Sequence, residues 1–358
     1  MEIGDMKMKR GMQNRRHFLQ TTASGLALSA MGTPLTSFAK PKPTPVSLVH
    51  GSDHVNNIFE ALKLQKDDIK KAIGSRKVVL KPNNVSITRQ LAATHANALT
   101  GTIEFLHSIG VKDIAIAESA AEGPTREGFH NFGYDKVADK YNVELIDLDK
   151  QPFKKEFVVS DEDFRPKAVR MSELLLDKDE IFLISNAVMK THDRVVATLS
   201  LKNIVFGAPI KDEGFRWGRG KRKGAINDKP IAHGGGPRGI NYNIFQLSEK
   251  LHPDLAIIDG FTGMEGNGPV GGSPVDHKIC LVSQDWLAAD RVAIELMGID
   301  FANVGWMNYC AKANRGETNL ANMEILGAKM EDHKKTYKLS SKIEHQMLWK
   351  KPMKIITG

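Results

Sequence analysis

Residues 180–192 read EIFLISNAVMKTH, an apolar run that ends in Lys190, Thr191 and His192. Apolar side chains at consecutive positions, with only Ser185 and Asn186 interrupting, predict a strand covered on both faces. Ten residues beyond His192 the next apolar segment carries Lys202 and Asn203. Burying an unpaired ammonium is among the costliest things a fold can do. Two lysines, a histidine and an asparagine around such a segment therefore predict a cleft in which they share an anionic ligand or cofactor.

The same signature recurs along the chain. VSLVH (46–50), KVVLK (77–81), DIAIAES (113–119), VELIDL (143–148), DLAIIDG (254–260) and KICLVS (278–283) read as strands. Helical spacing of apolar residues fills the intervals, as in 95–109, closed by Gly110, and 286–297, closed by Gly298. Alternating strands and helices predict an α/β fold, a mostly parallel sheet with crossover helices, in two lobes around a cleft. The α/β domain is expected over residues 40–330, with a glycine- and charge-rich excursion at 207–240 and a polar tail at 331–358 lying over the surface. The glycine-rich segment 259–274 is expected to turn directly after its strand.

Ligands in open parallel sheets bind at the carboxyl ends of the strands, so the residues closing each run are the candidates. Lys81 and Asn83 follow one strand, Glu118 another, Lys190 and His192 a third, and Asp259, with Glu265 on its loop, a fourth. Lys81, Asn83, Lys190, Asn203 and His233 are expected to bind substrate, the lysines as anion clamps. His192, His95 and Lys202 are the catalytic candidates, because imidazole exchanges protons near neutral pH. Glu118, Asp259 and Glu265 are the candidate metal ligands. Thr94 is read as the cap of the helix carrying His95, and a helix starting just after His192 would place Val195, Leu199 and Lys202 on one face. No dinucleotide or Walker fingerprint, nucleophile elbow or His-Glu-x-x-His helix is present, and HGGGP (233–237) lacks the elbow that would make it an oxyanion loop.

At the amino end, NRRHFL (14–19), a mildly apolar stretch to Phe38 and Ser37-Phe38-Ala39 predict a twin-arginine signal peptide over 1–39, with the mature chain starting at Lys40. The expected partner is the twin-arginine export machinery, the expected location the periplasm or another exported site, with no stable membrane span after cleavage. The net charge is +8. Much of it lies in RWGRGKRKG (216–224), which lacks a recognition pattern for nucleic acid and reads as a solvated loop or a flap attracting an anionic substrate. With two cysteines, Cys280 and Cys310, no four-cysteine iron–sulfur cluster can be built within the chain.

The ordered motifs VVLKPNN, ATHANALTGTIEFLHSIGVKDIAIAES, VMKTHDRVVATLSLKNIVFG, LAIIDGFTGMEGNGPVGG and DWLAADRVAIELMGI resemble, over roughly residues 75 to 300, the family known as domain of unknown function 362. Many members of that family carry a cysteine-rich ferredoxin segment; the two cysteines here do not supply one. The ten-residue spacing of His192 and Lys202 resembles nickel-pincer lactate racemase. That resemblance implies a lysine bearing a covalent nickel cofactor and histidines as metal ligand and proton-transfer bases. Together these readings predict an exported enzyme, dependent on a divalent metal or metal-containing cofactor, that acts on a small anionic or hydroxylated substrate by proton or hydride transfer. The alternatives are a metal-assisted hydrolase and a noncatalytic periplasmic ligand-binding protein.

Overall fold

The computed structural model describes residues 42–217 and 224–352. The twin-arginine segment and residues 218–223 of the basic run lie outside the described residues. From Pro43 onward the chain forms one compact unit, so the expected division into two lobes gives way to a single layered body.

Its strands, in chain order, are β1 (Thr44–His50), β2 (Lys77–Pro82), β3 (Ile114–Glu118), β4 (Glu144–Asp147), β5 (Phe153–Val159), β6 (Pro166–Ser172), β7 (Ile181–His192), β8 (Val196–Thr198), β9 (Leu255–Glu265), β10 (Ser273–Ser283) and β11 (Met323–Gly327). Among the described residues, one nine-stranded sheet runs β11-β1-β10-β9-β7-β2-β3-β4, with β8 pairing back onto β7, and β5-β6 form a separate ribbon. The segment β9-β7-β2-β3-β4 is parallel throughout. β10 is antiparallel to both β9 and β1.

The consecutive apolar runs arise because helices cover both faces and side chains alternate between them. Val78, Leu80, Ile114, Ile116, Phe182, Ile184 and Ile257 belong to one core, beneath helices His54–Lys63, Lys66–Ile73 and Ala96–Ser108. Their neighbours Val79, Ala115, Ala117, Leu183, Ala256 and Ile258 belong to the other, beneath helices Ser200–Gly207, Gly236–Leu247 and Trp286–Leu296. Gly110 (φ +87°) and Gly298 (φ +65°) end their helices in the left-handed region, as the glycine stops predict.

Three local expectations are corrected. The segment after His192 does not enter a helix: residues 193–195 form a tight turn, Val196 (φ +69°) pairs with His192 in the β7-β8 hairpin, and the helix starts at Ser200. The glycine-rich segment does not turn at Asp259, because β9 continues to Glu265 before the chain reverses into β10. The tail is more than a surface cover: Tyr337, Ser340 and Gln346 are buried, and Gln346 accepts from Val196 N (2.6 Å) and donates to His192 O (3.1 Å). Cys280 and Cys310 are both buried and free.

Candidate functional site

Lys81 shares the face of Val79 and turns toward helix Ser200–Gly207, where its ammonium is completely buried. It donates to both oxygens of Glu118 (2.9 Å each), to Asn203 Oδ1 (3.1 Å) and to Pro82 O (2.9 Å). Glu118 also accepts from Ser119 N (2.7 Å) and Asn84 N (3.1 Å). Asn203 completes the array through Asn83 Nδ2 (3.0 Å), Lys81 O (3.2 Å) and Ser185 Oγ (3.1 Å). Gly207 is required here, because a methyl at that position would overlap Lys81 Cε and Nζ. Burial pushes the Lys81 pKa down while Glu118 opposes it.

This network floors a cavity of about 70 Å³ lined by Lys81, Asn83, Asn84, Thr198, Lys202, His192 and His233, among others. A cavity that size takes a ligand of a few heavy atoms. The cavity adjoins an outer cleft of about 320 Å³ bordered by Arg194, Trp217 and Asn227, and His192, His233 and Lys229 line both.

Four lysines meet this region. Lys190 donates to Ala92 O (3.1 Å), and Lys229 to Gly207 O (2.7 Å) and Pro209 O (2.5 Å). Lys202 is 6% exposed and, among the described residues, has no hydrogen-bond partner; its ammonium lies 5.2 Å from the centre of the Phe206 ring. Burial, opposed by Asp193 and assisted by Arg194, lowers its pKa to about 7. Lys229 also falls to about 7, chiefly through burial. Asn83 Oδ1, Asn84 Nδ2 and Thr198 Oγ1 line the same cavity and are buried without partners. Unpaired buried polar atoms are costly, and here they cluster around one space.

The two histidines carry opposite tautomers. His192 Nδ1 accepts from Arg194 N (3.0 Å), which leaves the proton of the neutral ring on Nε2. His233 Nδ1 donates to Lys229 O (2.7 Å), which leaves its Nε2 bare. The rings lie 6.3 Å apart and nearly parallel, and Phe206 packs against His233 at 4.3 Å. Burial first, then Lys202, holds both imidazoles well below their usual pKa. The result is a neutral donor and a neutral acceptor beside one amine.

His95 and Asp259 lie elsewhere. Asp259 follows Ile257 onto the opposite face of the sheet, where both its oxygens lie 3.0 Å from His54 Nε2. His95 caps its own helix, Nδ1 accepting from Asn97 N, while Thr94 instead bonds Asn186 O. His54, His95, Asp259 and Phe261 line a separate pocket of about 630 Å³. Glu265 accepts from Lys338 N (2.9 Å). Glu118, Asp259 and Glu265 thus engage three different sets of partners, and no cluster of three or more His, Cys, Asp or Glu suited to a metal occurs among the described residues. The donor set expected for a metal is not assembled.

Sequence reasoning missed Lys229, His54 and Asp290. The third had a visible signal, an acid within the apolar helix Trp286–Leu296, whereas the other two sit in segments whose pattern marks only loops and helix starts.

The family described as Domain of unknown function (DUF362) matches residues 78–295. A thylakoid-associated protein of Synechocystis is 24% identical over 233 residues, covering 64% of this chain. The match spans 66% of that relative, just under two thirds of its length. No solved structure matches the chain.

Proposed function

We propose, from the premise that this chain belongs to the DUF362 family, that its buried cavity binds a small carboxylate-bearing substrate and catalyses proton transfer on it. The observation carrying this reading is the convergence of an unpartnered lysine, three unpartnered polar atoms and two histidines of opposite tautomer on one small cavity. Asn84 Nδ2 and Thr198 Oγ1 supply hydrogen bonds for a carboxylate, and Lys202, with its pKa lowered to about 7, adds charge in its protonated form. His233 Nε2 accepts a proton and His192 Nε2 donates one, so a carbon acid held between them can lose and regain hydrogen. Lys81 and Lys190, with their acceptors already made, hold the walls rather than the ligand.

The test is calorimetric titration with C2 to C4 2-hydroxy acids, followed by NMR of exchange at the C2 hydrogen in D2O. At least one acid should bind saturably and exchange, and His233→Gln should slow exchange about 100-fold or more with binding retained. Absence of binding across the series would remove the proposal; binding without exchange would leave a ligand-binding protein. Export rests on residues 1–39 alone, and a reporter fused behind them should reach the periplasm only when Arg15 and Arg16 are intact.

A further inference from the structure

We infer that Lys202 is a nucleophile that forms an imine with a small 2-oxo acid, so that the substrates of the buried cavity include carbonyl compounds of that class. The inference rests on the cavity assigned above and names its chemistry more closely.

The geometry separates Lys202 from its neighbours. An amine attacks a carbonyl carbon through its own lone pair, so it must be neutral and unencumbered. Lys81 is bound to a carboxylate, an amide and a carbonyl, and Lys190 and Lys229 are held by backbone carbonyls. Lys202 alone among these four has no partner among the described residues. Its position on helix Ser200–Gly207 is fixed from behind, since buried Asp290 accepts from Ser200 N (2.8 Å) and Leu201 N (3.1 Å). Burial and the nearby cation Arg194 disfavour a charge on it, with Asp193 opposing them, and desolvation beside a cationic group is a recognised way to activate an amine.

The steps balance without redox change. The Lys202 nitrogen lone pair attacks the carbonyl carbon, the carbonyl π-bond pair moves to oxygen, and an N–H proton is passed to that oxygen through a histidine, giving a carbinolamine. The C–N bond then gains its second pair as the hydroxyl leaves with one further proton as water. His233 Nε2 is free to take the nitrogen proton and His192 Nε2–H to supply one to the departing oxygen. The carboxylate of the 2-oxo acid meets Asn84 Nδ2 and Thr198 Oγ1, donors otherwise without acceptors. A 2-oxo acid of two or three carbons suits a cavity of about 70 Å³.

The experiment is incubation of the intact protein with glyoxylate or pyruvate, reduction with borohydride, and intact-mass and peptide analysis. One equivalent of reduced adduct should map to Lys202. Its rate should rise as pH is raised through about 7, where the amine loses its proton, whereas exposed lysines react only at higher pH. A bound 2-hydroxy acid should block it. No adduct at Lys202, or labelling spread over surface lysines and unaffected by the hydroxy acid, overturns the inference. Peptide mapping of the unmutated chain carries this result whether or not Lys202→Met folds. Hydroxy-acid binding needs no carbonyl: binding intact with no trapped adduct removes the imine and leaves the proposed function, while loss of both removes both.

Discussion

Lys81 keeps four acceptor atoms around its ammonium, whereas Lys202, on a helix packed against the same strands, keeps none. The contrast separates a structural ion pair from a reactive amine. Breaking a buried pair on one side leaves an uncompensated charge, so Glu118→Gln should cost roughly 3–5 kcal/mol of unfolding free energy. Lys81→Met combined with Glu118→Gln removes the stranded ammonium and should recover a large part of that loss. Urea denaturation of both variants checks this, and a double variant less stable than the single one would show that the charge pair is not what the fold depends on. The residue types at the strand ends were legible in the sequence. Which lysine had partners was not, because the partners of Lys81 lie 37 and 122 positions away.

Helix Ser200–Gly207 is the element that turns this sheet edge into a site, since it carries both Lys202 and Asn203. It has no side-chain cap of its own at Leu199. Asp290, completely buried on helix Trp286–Leu296, performs that task from across the core. Burial raises its pKa to about 7 despite the amide donors. Asp290→Ala would leave two amides unsatisfied and should destabilise the protein by on the order of 2 kcal/mol. It should also slow adduct formation at Lys202 although it removes nothing from the cavity. Equal trapping rates in Asp290→Ala and the parent would show that Lys202 is positioned by something else. The helix itself was visible in the apolar spacing, but its start was misplaced by several residues. β-Branched Val196 fits either a helix or a strand by pattern, and pairing with β7 decides for the strand.

At the scale of the molecule, several buried lysines make stability depend on pH. Lys202 and Lys229 titrate near 7 when folded against 10.5 when free, and Lys190 is also well below its free value. Across that window the unfolded chain binds more protons than the folded protein, so unfolding free energy should rise as pH increases from 7 to 9. Below pH 7 the cost of charging these amines is fully present, and protonation of buried His192 and His233 adds to it. Urea midpoints at pH 7 and 9 should show the increase, and Lys202→Met with Lys229→Met should shrink it. A midpoint that falls over this range would mean the lysines keep their protons through a partner the fold supplies elsewhere.

The sequence by itself determined the layered α/β body, because apolar runs and helical spacing are local and a strand covered on both faces has no other composition. It also determined that Lys81, Asn83, Lys190 and His192 lie on or just past apolar strands, with Lys202 and Asn203 in the apolar segment that follows. Only the tertiary structure decided that these residues form one neighbourhood while Asp259 and His95 form another. Side chains alternate between faces with period two, and the register between β7 and β9 shifts between Val188 and Lys190. Asp259 stays on the face of Ile257 and is held there by a side chain from a helix. Its partner, His54, comes from a helix 205 residues distant, a pairing set by packing and written in no local pattern.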